Sequence, residues 1–144
     1  MQNLETFYAL VENVIKKIGV DPAVCRGEKP GQWNMRKGSG DVWVDIWKLE
    51  DKDYGYIQIM GPVSQIPAGR ELEFYKEMME INHGLYACSL TKHENWLYVK
   101  SIRELEDLNE SEVVAMFDRV GYYVDFYDDF IKNKYFTEPG KRAE

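Results

Sequence analysis

Apolar side chains recur along the chain in two rhythms, one helical and one alternating. Leu4, Phe7, Val11, Val14, Ile15 and Ile18 fall at three- and four-residue steps, which places them on one stripe of a helix. Asn3 offers a side-chain oxygen to the first free amides, and Gly19 offers a stop. From Val20 to Gln32 the sequence is polar and carries Pro22, Gly27, Pro30 and Gly31, which predicts a loop. Three strands are then expected, at Trp33 to Lys37, Asp41 to Leu49 and Tyr54 to Met60. The turns Gly38-Ser39-Gly40 and Glu50-Asp51-Lys52-Asp53 join them into an antiparallel meander that ends at Gly61-Pro62. In the middle strand Val42, Val44 and Ile46 point one way and Trp43, Asp45 and Trp47 the other, so both faces carry apolar groups.

After Pro67 the rhythm is helical again. Leu72, Tyr75 and Met79 form one stripe and Phe74, Met78 and Ile81 a second, with Asn82-His83-Gly84 as the stop. Two strands follow at Leu85 to Thr91 and Trp96 to Ile102, paired as a hairpin through Lys92-His93-Glu94-Asn95. Asn109 and Glu112 have capping-box spacing, and Leu108 with Val113 has that of the accompanying hydrophobic staple. A last helix then carries Val113, Met116, Val120, Val124, Tyr127 and Ile131 on one face and Asp118, Asp125 and Asp129 on another. The reading is α+β: a five-stranded antiparallel sheet with the order helix, three strands, helix, two strands, helix.

The 144 residues are close to the ~150 of one typical domain. One domain is expected over 1–136, with a flexible tail over 137–144. Eighteen Lys plus Arg against 25 Asp plus Glu leave a net charge of −7, so a surface that grips nucleic-acid phosphates is disfavoured. A content of 44% hydrophobic and 14% aromatic residues supplies a core, which excludes global disorder. No basic-then-apolar leader and no run of ~18 apolar residues occurs, so no membrane role and a cytoplasmic location are expected.

Catalytic chemistry finds little support. Cys25 and Cys88 stand apart, without a second thiol or a histidine at ligand spacing. They read as reduced thiols, Cys88 as a small buried hydrophobe. His83 lies at a helix end and His93 in a turn, where both are structural; nothing places Cys88 and His83 together as a nucleophile pair. Gly38-Ser39-Gly40 lacks the lysine and following helix of a phosphate cradle. Asp118, Asp125, Asp128 and Asp129, with Lys132 and Lys134 nearby, read as a solvated helix face. No catalytic residue, cofactor or metal is expected.

What stands out is aromatic: four Trp and ten Tyr. Trp43 and Trp47 share a strand face, and exposed aromatic patches mark interfaces more often than catalysis. Either the second helix covers that face or a partner does. Trp43, Trp47 and Trp33 are the candidate protein-binding residues.

The order of elements resembles the type III secretion chaperone-like fold. The half from Phe74 to Val124 resembles, within that fold, the YbjN family of sensory transduction regulators. The likeness is carried by Met78-Met79-Glu80-Ile81-Asn82, Gly84-Leu85-Tyr86-Ala87-Cys88-Ser89-Leu90, Trp96-Leu97-Tyr98-Val99-Lys100 and Leu108-Asn109-Glu110-Ser111-Glu112. It implies an α+β domain, often dimeric, that binds protein partners and has no catalytic residues to transfer. The expected function is a non-enzymatic protein-binding module, chaperone-like or regulatory, acting on a protein client as a homodimer. The alternative is a small-ligand or lipid-binding sensor whose pocket is lined by Trp33, Trp43 and Trp47.

Overall fold

A computed structural model describes residues 3–37 and 40–137. The Gly38-Ser39 turn and the tail from 138 onward lie outside the described residues. In chain order the elements are α1 (Leu4–Lys17), α2 (Pro22–Cys25), β1 (Gln32–Lys37), β2 (Gly40–Lys48), β3 (Gly55–Gln65), α3 (Glu71–Asn82), β4 (Ser89–His93), β5 (Trp96–Glu104) and α4 (Glu110–Tyr135). The strands form one antiparallel sheet in the order β1-β2-β3-β5-β4.

The helix starts are as the caps imply. The Asn3 carboxamide accepts from Glu5 N–H at 3.0 Å, and that of Asn109 accepts from Glu112 N–H at 3.0 Å. Leu108 and Val113 are both buried, completing the staple. The expected loop from 20 to 32 contains one helical turn, α2, because Asp21 caps the Ala23 amide and Pro22 occupies the first turn, where its missing N–H is harmless.

Two strand boundaries differ from expectation. β3 does not stop at Gly61-Pro62 but runs on to Gln65. Its pairing with β2 ends at Met60, and beyond that it pairs with β5 alone, so a proline is tolerated on the unpaired side. A register shift between Pro62 and Ser64 follows. β4 begins at Ser89 rather than Leu85, since Ala87 takes a φ of +53° that breaks the extended run.

One face of the sheet carries the core. Val42, Val44, Ile46, Ile57, Ile59, Leu97 and Val99 are buried there beneath α1 (Phe7, Val11, Val14, Ile15) and α4 (Val113, Met116, Phe117, Val120, Val124, Ile131). α4 lies close on the strands at Gly40 and Gly61, where an added Cβ would meet Val124 at 2.8 and 2.9 Å; at Gly61 it would also meet Asp41 O at 2.6 Å. α3 sits to one side. Phe74 meets the Tyr135 ring edge-on at 5.1 Å, Glu77 accepts from Lys134 Nζ and Tyr135 Oη, and Arg70 lies 4.4 Å from the centre of the Tyr135 ring. Leu72 and Met79, of the first α3 stripe, are exposed, whereas Phe74 and Met78 of the second are buried.

Both sheet edges are partly closed. At β4 the Asn82 carboxamide accepts from Leu90 N–H at 2.6 Å and donates to Leu90 C=O at 3.0 Å, taking the place of a neighbouring strand. At β1 the Gly27 amide donates to Gln32 C=O at 2.7 Å, beside a bridge between Arg26 and Trp33.

Candidate protein-binding face

The second face of the sheet follows from strand alternation and register together. Trp43, Asp45 and Trp47 of β2 are half-buried, between the buried Val42, Val44 and Ile46. Across β3 they oppose Met60, Gln58 and Tyr56, and those in turn oppose Lys100, Ile102 and Glu104 of β5. Pro62 opposite Tyr98 adds a further rung. None of the four helices among the described residues crosses this face: α1 and α4 pack on the core face, and α3 packs on β4 and the end of α4. Of the two readings the sequence offers, cover by the second long helix is not what the structure has: α3 does not reach the tryptophans.

The rings gather in two groups. Trp43 reaches over β3 to Tyr98, with ring centres 6.0 Å apart. Trp47 stacks on Tyr56 at 5.8 Å and 29°, and Tyr54 meets Tyr56 edge-on. Between the groups runs a polar row of Gln32, Asp45 and Gln58, continued by the exposed Ile102. Burial pushes the Asp45 carboxyl above the usual aspartate range, opposed by a hydrogen bond from the Gln32 side chain.

Trp33 does not join the other two tryptophans. It opposes Val44 on the core face and is 2% exposed. Its ring packs edge-on against Tyr8, and its indole N–H donates to Glu12 Oε2 at 2.9 Å. The same carboxylate takes a two-point hydrogen bond from Arg26, which is the main reason its pKa falls to about 2. The pocket lined jointly by Trp33, Trp43 and Trp47 is therefore not formed: one strand position separates Trp33 from the outward set, and alternation sends it inward. Tyr56, Tyr98, Met60 and Ile102 were absent from the candidates because their membership depends on inter-strand register, which the turns do not specify.

The remaining chemistry is sparse. Cys25 is buried and Cys88 half-buried, both as free thiols; the pKa of each is raised chiefly by burial. His83 and His93 are exposed, at the end of α3 and the end of β4. Among the described residues no cluster of His, Cys, Asp or Glu could hold a metal ion, and no helix is long and apolar enough to cross a membrane.

With this geometry in place, the chain can be set beside known proteins. No family model and no curated protein matches its sequence. Solved structures do match its fold. The ExsC–ExsE complex aligns with a TM-score of 0.68 at 13% identity, over 89% of this chain and 95% of that one. The HopA1–SchA chaperone–effector complex aligns at 0.62 and 10% identity, over 89% and 98%. The chain has the type III secretion chaperone fold. YbjN from E. coli, proposed as a transcription regulator, aligns at 0.52 and 16% identity over 92% of both chains. The chaperone-like fold expected from the order of elements, and the YbjN-like one expected from the residues between Phe74 and Val124, are both found in three dimensions.

Proposed function

We propose that this chain is a non-enzymatic protein-binding module, chaperone-like or regulatory, that docks a protein client on the outer sheet face around Trp43 and Trp47. The observation that carries this reading is an aromatic sheet face that no described element of the chain covers. Rigid rings in an incompletely covered patch suit a binding surface, because they lose little conformational freedom on contact. The chaperone–effector neighbour and the acidic net charge agree with a protein partner rather than a nucleic acid. An open face favours a macromolecular surface over an enclosed small-molecule pocket.

Replacing Trp47 with alanine should weaken client association by about 2 kcal/mol or more while leaving circular dichroism and cooperative melting nearly unchanged. The check is quantitative affinity capture from the native host with the parent and Trp47→Ala chains. A stoichiometric partner retained by the variant, or a loss of several kcal/mol in fold stability, would sink the assignment of this face.

The cytoplasm is the proposed location and a homodimer the proposed state. Leu72, Met79 and Tyr86 are exposed at 85%, 73% and 77%, an apolar display that a second copy would cover. Light scattering at tens of micromolar should report twice the chain mass at low and moderate salt. A monomer under both conditions rejects the dimer.

A further inference from the structure

The polar row that crosses the aromatic face is centred on one carboxylate, Asp45. Asp45 stands two residues from Trp43 and two from Trp47, so roughly 6 to 7 Å of strand separates its Cα from each. Gln32 and Gln58 flank it in register on β1 and β3. The carboxylate is half-buried, stands beside Gln32 in register, and pairs with no Lys, Arg or His among the described residues. The other charges on this face lie apart from it: Arg36 pairs with Asp41, Lys100 stands in the neighbouring Met60 rung, and Glu104 in the Tyr56 rung.

A carboxylate partly stripped of water and left without a counter-charge is destabilising, and a cation brought from outside recovers that cost. The walls suit the same visitor. Trp43 with Tyr98 on one side and Trp47 with Tyr56 on the other present electron-rich rings, which attract cations. Arginine fits better than lysine. Its planar guanidinium stacks against an indole, offers two parallel N–H groups to a carboxylate, and sheds water more readily than an ammonium.

We infer that the outer face takes up an arginine side chain of the partner protein, seated on Asp45 between the Trp43–Tyr98 and Trp47–Tyr56 ring pairs. Apolar residues flanking that arginine would cover the rings. The inference rests on the reading of this face as protein-binding and adds the chemistry it selects.

The test uses the whole chain and two acetylated, amidated peptides, Gly-Ser-Leu-Arg-Leu-Ser-Gly and the same peptide with citrulline for arginine. Citrulline keeps the shape and removes the charge. Titration is followed by NMR at the assigned indole N–H resonances of Trp43 and Trp47. The arginine peptide should shift both resonances and bind at least tenfold more tightly than the citrulline peptide. Asp45→Asn should abolish that preference while melting no lower than the parent, since it removes an uncompensated charge. Asp45→Ser serves as a second variant should the asparagine chain fold poorly. Equal affinity for the two peptides, an unchanged preference in the folded Asp45 variant, or unmoved Trp43 and Trp47 resonances overturns the inference. The two readings fail separately: if the peptides bind alike while Trp47→Ala still loses its partner, the face stands without the arginine. If Trp47→Ala keeps its partner, the face itself is wrong.

Discussion

Replacing Trp33 with alanine is expected to lower the free energy of unfolding by about 3 to 5 kcal/mol, the usual cost of truncating a large core aromatic. The ring is buried between β1 and α1 against Tyr8, so a cavity opens on its removal. Glu12 also loses the indole donor that helps hold it ionised. Denaturant titration of Trp33→Ala beside Trp47→Ala separates the two tryptophans: a large midpoint shift for the first and a small one for the second. Similar shifts for both would mean that Trp47 also belongs to the core. Because the Glu12 carboxyl lies below its unfolded value, the stability it contributes is present above about pH 4.5. That contribution is lost as pH falls toward about 2.

The second large effect is expected at Phe74, which is fully buried and is the main apolar anchor of α3. Phe74→Ala should cost about 3 to 5 kcal/mol. The loss should fall first on one element, because α3 meets the rest of the fold mainly at β4 and at the Tyr135 end of α4. Hydrogen exchange should show the amides of α3 losing protection while those of β2, β3 and β5 keep most of theirs. A uniform loss over the whole sheet would show that α3 unfolds only with the domain.

The contrast between Trp33 and Trp47 also shows how far the sequence could be read. Period and capping were sufficient for the elements themselves: the stripe of α1, the Asn109 cap of α4 and the inward set Val42, Val44 and Ile46 all reflect short-range geometry. The face of a strand was legible wherever alternation ran within one strand, which is why Trp43 and Trp47 were grouped correctly. Placing Trp33 required the β1–β2 register, and adding Tyr56 and Tyr98 required that of β3 and β5. Register arises from pairings between distant residues, to which single-strand periodicity is blind. β4 shows the same limit: its late start at Ser89 follows from the left-handed Ala87, and its edge is held by the Asn82 side chain binding Leu90 from another element.

That Asn82 contact has a consequence for how copies of the chain meet one another. A protein with an adhesive sheet face is at risk of building ribbons of itself if its outermost strand is also open, because each copy then templates the next without limit. Here the amide of one asparagine occupies both backbone groups of Leu90, and the Gly27 amide occupies the Gln32 carbonyl at the opposite margin. Contacts through the broad face can close on a single partner and stop. Growth along the hydrogen-bonding direction meets engaged groups at Leu90 and at the Gln32 carbonyl, which shortens the stretch of each edge open to another strand.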